Sequence, residues 1–317
     1  MKFLRDHWRW LLNGAVAIGL LIAGKKYLSG GQFWGALAHF HWIYAPLILG
    51  LTLLYLAIRG VRLGVPLRFL SHLDRLTAGV ASVSGEGAAL MPGGVMTYLA
   101  MLKEVGVKVA DGGASVAWIS VLDQGLFVSL SLVAALWIPA ARAGAVAVLS
   151  VLVVAGVLMA IPLTRLWITV AWDTLLLQVG VLVQWQDGLA AIKKLLAPRV
   201  LGEGVLLTLV AALTMAGALD LTVSGLGADI TFASAMLAYT LSSMLGRLTP
   251  LPGGVGVTEA ALVGVLHKVA GLDLENAAAA TAIFRVGTTL FGAVIGSAVY
   301  AIVWRGKVGG VVSEAGG

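Results

Sequence analysis

Cysteine is absent from the 317 residues. That excludes disulfides, thiolate metal sites, cysteine nucleophiles and S-palmitoylation, and leaves the redox compartment open. Charge is scarce: 11% of the residues are Asp, Glu, Lys or Arg, against about 25% in an ordinary soluble domain. The histidines, His7, His39, His41, His72 and His267, include no helical pair with an Asp or Glu at metal-ligand spacing, so neither a metal nor a cofactor is expected. His39-x-His41 reads instead as an interfacial pair beside Trp34, Trp42 and Tyr44, part of an aromatic belt. There is no Gly-x-Ser-x-Gly elbow and no Walker loop. Basic runs interleaved with aromatics are also lacking, which sets nucleic acid aside as a partner. What the chain has in excess is apolar surface, 60% of its residues, with a mean hydropathy of +0.99. A water-soluble fold of this length would have too little polar surface to cover itself. An all-α integral membrane protein follows, a single transmembrane domain over residues 1–317. The 41 glycines suit helices that pack closely or break.

Apolar runs place six spans, at about 10–24, 43–58, 113–138, 143–163, 200–219 and 276–302. The first follows a basic, aromatic start, MKFLRDHWRW, and lacks a small-residue cleavage site, so it reads as an uncleaved span. The second is expected to end at Arg59 and Arg62. Residues 63–82 mix polar and apolar positions and read as an interfacial helix; 164–199 reads as interfacial helices, with one more span that contains Asp173 as the alternative. Two further apolar segments, 83–104 and 230–268, are interrupted by Pro92-Gly93-Gly94 and by Pro250-Leu251-Pro252-Gly253-Gly254, and each reads as a re-entrant pair of half-helices. With this topology Lys25, Lys26, Arg142 and Lys268 fall outside, and Arg247 and Arg285 fall within membrane segments. The rest of the 21 Lys and Arg fall inside. The asymmetry places both termini in the cytoplasm of a cell whose inner membrane the chain crosses repeatedly.

The two interruptions resemble each other. Met91-Pro92-Gly93-Gly94-Val95 parallels Leu251-Pro252-Gly253-Gly254-Val255, and each is followed by a short apolar helix, a polar turn and a long Ala-rich span. An odd number of spans separates them, so the chain reads as inverted repeats, approximately 67–163 and 200–304, as in secondary transporters. Backbone freed by a Pro-Gly-Gly break cannot face lipid, so the breaks line a wet cavity or are buried in protein. Half-helices starting near Val95 and Val255 would turn free N–H groups into that cavity and favour an anionic guest.

Five ionisable residues sit at membrane depth: Glu86, Asp123, Arg247, Glu259 and Arg285. Each costs about 2.5–3.5 kcal/mol unless paired or hydrated. Inverted symmetry brings Asp123 and Arg285 towards each other, as an ion pair or as near neighbours. Arg247 and Glu259 flank the second break. Arginine presents a planar fork suited to phosphate, and Glu259 would orient an arginine or carry a proton. Two readings remain open at this point: a headgroup site, or an internal salt-bridge network holding the halves together.

The stretch Gly246-Arg247-Leu-Thr-Pro-Leu-Pro252-Gly253-Gly254-Val-Gly256-Val-Thr-Glu259, followed by Ala282-Ile-Phe-Arg285, resembles the hallmark of the lysylphosphatidylglycerol synthase transmembrane-domain family. The likeness extends over about residues 10–304, and Pro92-Gly93-Gly94 is similar to the family's first break. It implies a flippase-like fold with Arg247, Glu259 and Arg285 at polar motif positions, in a stand-alone form without the aminoacyl-transferase domain of two-domain relatives. Where the family often carries arginines, this sequence has Tyr98 or Met101 and, beside Asp123, Gln124. The expectation is a non-enzymatic lipid translocase for an anionic phospholipid or a polyprenyl-phosphate-linked lipid. Glu86, Asp123, Pro92, Gly93, Gly94, Arg247, Pro252, Gly253, Gly254, Glu259 and Arg285 would form its binding site. Its partners would be membrane lipids and an envelope-lipid biosynthesis enzyme, and the oligomeric state is left open. An intramembrane lipid-modifying enzyme, or an accessory subunit of an envelope pathway, stands as the alternative.

Overall fold

The computed structural model describes residues 31–89, 94–160, 190–249 and 254–304. The expected span at 10–24, the residues 90–93 and 250–253 at the two breaks, and most of 164–199 lie outside the described residues. Among those described, every element is helical. In order they are α1 (Gly31–Ala38), α2 (Ala45–Ser71), α3 (Arg75–Ala89), α4 (Gly94–Glu104), α5 (Val109–Trp137), α6 (Arg142–Ala160), α7 (Pro198–Gly225), α8 (Phe232–Arg247), α9 (Val257–Lys268), α10 (Leu274–Arg285) and α11 (Phe291–Val303). A π-helical turn, Val286–Leu290, joins α10 to α11 without interrupting the rod.

Local chemistry sets the ends. Proline stands in the first turn of α2 and of α7, where its missing N–H costs nothing. Thr231 accepts from the Ser234 N–H to start α8, and Asp273 accepts from the Asn276 N–H to start α10. Asp74 does the same for α3, and hydrogen bonds from the Thr77 hydroxyl and N–H hold its carboxyl below the usual carboxylate range. Gly254 at φ 63° and Gly256 at φ 90° turn the chain into α9 through conformations that a side chain would strain.

Among the described residues four helices are long and apolar enough to cross a membrane: Trp42–Ser71, Val109–Trp137, Pro198–Gly225 and Leu274–Val303. At 1.5 Å per residue each spans about 42–45 Å, more than a hydrocarbon core of about 30 Å. α3, α4, α8 and α9, the arms of the two broken segments, are each about 16–24 Å long and too short to cross alone. The bundle keeps its membrane-depth polar groups inside and turns large apolar side chains outward, as a bilayer requires. Arg62, Asp123, Thr208, Thr240 and Ser242 are buried, whereas Trp137, Leu206, Val294 and Ile302 are exposed.

The second expected span is corrected at its C-terminal end. α2 does not stop at Arg59 and Arg62 but continues to Ser71, with Pro66 inside it. Apolar burial outweighs the missing hydrogen bond. Leu63 and Leu67 pack with Ala78, Ala81 and Met101, and Val65 packs with Trp118 and Leu195. The chain leaves the helix only at His72, in the left-handed region at φ 54°. The expected interfacial helix at 63–82 is therefore divided between the end of α2 and the start of α3.

α2 lies along α7. α3 packs on α2, α4 and α11, while α8 packs on α7, α9 and α5. Small residues permit these crossings. A methyl on Gly87 of α3 would come within 2.6 Å of Ser297 Oγ on α11, and one on Gly254 within 2.7 Å of the Gly246 Cα on α8. The Ser131 and Thr240 hydroxyls bond at 2.7 Å and tie α5 to α8.

Candidate functional site

Asp123 sits at the middle of the 29 residues of α5. Nothing apolar can neutralise a carboxylate there, and two arginines do so. Arg62 of α2 grips it with both terminal nitrogens, Nη1 on Oδ1 and Nη2 on Oδ2, the latter at 3.3 Å. Arg62 Nη1 also donates to the Thr208 hydroxyl of α7 at 3.1 Å. Arg247, the last residue of α8, donates one Nη1 hydrogen bond to Asp123 Oδ2. Its guanidinium lies 5.1 Å from the centre of the Phe127 ring. The partners differ in access: the Arg62 and Asp123 side chains are 4% exposed, that of Arg247 35%.

The expected Asp123–Arg285 pair is corrected. Asp123 faces α8 and α2, because α5 packs on those helices, whereas Arg285 at the end of α10 faces α9. Arg285 Nε forms an ion pair with Glu259 Oε1 at 2.6 Å, and Glu259 Oε2 accepts from the Gly256 N–H. Glu259 thus caps the start of α9 and orients an arginine. The expectation of free N–H groups at this half-helix start is corrected in part, since the Gly256 N–H is occupied. On the other side of the bundle Glu86 of α3 pairs with Arg59 of α2.

These groups surround one cavity of about 600 Å³. α2 supplies Tyr55, Arg59 and Arg62; α3 supplies Ser82, Gly85 and Glu86; α4 supplies Tyr98; and α5 supplies Ser120, Asp123 and Gln124. From the other half come Tyr239, Ser242, Ser243 and Arg247 of α8, then Thr249, Gly254, Thr258 and Arg285. The π turn presents Thr288 and Thr289. Such turns widen the helix locally and often stand at functional sites. The Thr52 hydroxyl of α2 lies 2.9 Å from the Gly287 carbonyl within that turn and 2.9 Å from the Ile48 carbonyl of its own helix, between which its one proton is shared. Four arginines on the wall against Glu86, Asp123 and the adjoining Glu259 leave one positive charge in excess. Among the described residues no group of three His, Asp or Glu is placed to hold a metal.

Of the expected site residues, Glu86, Asp123, Arg247, Gly254 and Arg285 line the cavity, and Glu259 stands behind Arg285. Gly94 begins α4, while Pro92, Gly93, Pro252 and Gly253 lie outside the described residues. Sequence reasoning missed Arg59 and Arg62 by placing them at a span end. The missed signal was the apolar run Leu63-Gly64-Val65-Pro66-Leu67, which resumes after Arg62 and makes the arginines an interruption.

A family profile described as "Lysylphosphatidylglycerol synthase TM region" matches residues 10–296. No curated protein and no solved structure gives a significant match.

Proposed function

The chain belongs to the lysylphosphatidylglycerol synthase transmembrane family, and from that premise we propose that it is a lipid translocase. It moves an anionic phospholipid or a polyprenyl-phosphate-linked lipid between the leaflets of a prokaryotic inner membrane, without chemical change to the lipid. The observation that carries this reading is the cavity itself. It has headgroup dimensions, lies between the two broken segments, and is walled by Arg59, Arg62, Arg247 and Arg285.

The binding step follows from the unequal hold on Asp123. Arg62 is fixed by a two-point grip and by Thr208, while Arg247 has one bond and the greater exposure. Arg247 is the member that exchanges Asp123 for a lipid phosphate. Arg62 then keeps the carboxylate neutralised, so no buried charge is stranded. Arg285 at the end of α10, held by Glu259, meets the phosphate from another side of the cavity.

Six spans, two re-entrant hairpins and inverted repeats belong to this proposal. Their support is the correspondence of packing partners. If α2, α3, α4 and α5 answer to α7, α8, α9 and α10–α11, the packing of α3 on α11 answers to that of α8 on α5, and α2 lies along α7. The termini are then cytoplasmic, and an enzyme of envelope-lipid biosynthesis is the partner expected to supply or consume the lipid.

A second reading has one observation in its favour: each cavity arginine already has a carboxylate. In that reading the charges only hold the halves together. Proteoliposomes carrying fluorescent phosphatidylglycerol separate the two. Arg247→Ala and Arg285→Ala should slow leaflet exchange about tenfold or more, the worth of one charged hydrogen bond, in protein that remains folded. Wild-type exchange rates in both would remove the translocation site.

A further inference from the structure

The cavity wall carries polar atoms that the ion pairs do not use. Tyr98 of α4 and Gln124 of α5 both line it, and each holds a buried polar atom, the phenol hydroxyl and Oε1, with no hydrogen-bond partner among the described residues. Such an atom costs free energy in an empty site and regains it when a ligand supplies the partner. Tyr98 is seated for this by Gly85, where a methyl group would come within 3.0 Å of its ring. Ser120 stands one turn before Gln124 on α5 and also lines the cavity. Its hydroxyl donates to the Val116 carbonyl at 2.9 Å and keeps acceptor capacity.

Building on the translocase reading, we propose that Tyr98 and Gln124 determine specificity by binding the hydroxyls of a polyol carried on the lipid phosphate. Gln124 Oε1 can only accept, so its partner must bring an O–H or N–H. A trimethylammonium headgroup brings neither. A bare phosphate monoester is all acceptor at its charged end and suits the arginines alone. An ammonium headgroup would bring a donor but also a second cation into a site already positive by one charge. An anionic phosphodiester whose headgroup is uncharged and bears hydroxyls satisfies both sets of groups, its phosphate on Arg247 and Arg285 and its hydroxyls on Gln124 and Tyr98.

The test is calorimetric binding of short-chain lipids to the detergent-solubilised full chain. The probes are dihexanoyl phosphatidylglycerol, dihexanoyl phosphatidic acid and dihexanoyl phosphatidylcholine. The glycerol lipid should bind about tenfold tighter than either of the others. Tyr98→Phe and Gln124→Leu should each shrink its advantage over phosphatidic acid by about fivefold. Both lipids are measured on one preparation, so a lowered folded fraction cancels from that ratio. An unaltered ratio in both variants would overturn the assignment. Soluble glycerophosphoglycerol binding as tightly as the lipid would overturn a lipid as the source of the headgroup. Arg247→Ala is the separate control: if it binds both anionic lipids as wild type does, the translocase site fails, whatever Tyr98 and Gln124 do.

Discussion

Asp123 serves two arginines with one carboxylate, and the consequences of changing it differ from those of changing either partner. Asp123→Asn would leave Arg62, 4% exposed, without a countercharge. Stranding a buried charge costs about 3–5 kcal/mol, so this variant should lose much of its thermal stability in detergent. Arg247→Ala leaves the two-point Arg62–Asp123 pair intact and should unfold within a few degrees of wild type. Fluorescence-monitored melting of the two variants checks the contrast; equal losses would mean that Arg247 is as structural as Arg62. The sequence marked Glu86, Asp123, Arg247, Glu259 and Arg285 as the ionisable residues at membrane depth, because a charge in an apolar run is visible without coordinates. It did not find the partners of Asp123. Pairing depends on which helix faces lie together, and local spacing holds no information about that.

At the scale of elements, the π turn is a local fault held open by a neighbour. Its Gly287 carbonyl shares the single proton of the Thr52 hydroxyl of α2 with the Ile48 carbonyl, each at 2.9 Å. Thr52→Val keeps the shape and removes the donor, and should cost about 1–3 kcal/mol, seen as a lowered melting temperature. Gly87 and Gly296 set the closest approach of α3 to α11. Gly296→Leu should cost about 1–3 kcal/mol or more by overpacking, whereas Gly264→Ala on α9, with open space around it, should be nearly neutral. The sequence announced both broken segments through Pro-Gly-Gly and placed the later arms within a few residues, but began the first arm at 83 where α3 begins at Arg75. The π turn left no such mark, since Val286-Gly287-Thr288-Thr289-Leu290 reads as ordinary span. The continuation of α2 past Arg62 was hidden for a related reason. Two arginines and a proline look like an ending unless the burial of Leu63, Val65 and Leu67 is known.

At the scale of the whole molecule, the proposed inversion puts the turns after the two broken segments on opposite sides of the membrane. The chain has no cysteine, so single cysteines report position directly. Lys103 and Lys268 are exposed at the ends of α4 and α9. With both termini inside, Lys268→Cys should react with an impermeant maleimide on intact cells and Lys103→Cys only after permeabilisation. Labelling of both from one side would dismiss the inverted arrangement. Composition alone established a helical membrane protein, and the matched breaks suggested its two halves. The cavity was less legible, since it is a volume shared by helices far apart in the chain. The claim on which the account rests is that an anionic headgroup lies on Arg247 and Arg285 inside that cavity. An electron cryo-microscopy map of the protein in phosphatidylglycerol nanodiscs tests it most directly. The account predicts a phosphate peak within hydrogen-bond distance of both guanidinium groups, Arg247 turned away from Asp123, and acyl chains passing out into the bilayer. A cavity holding only water, with Arg247 still on Asp123 and lipid confined to the outer surface, would contradict it.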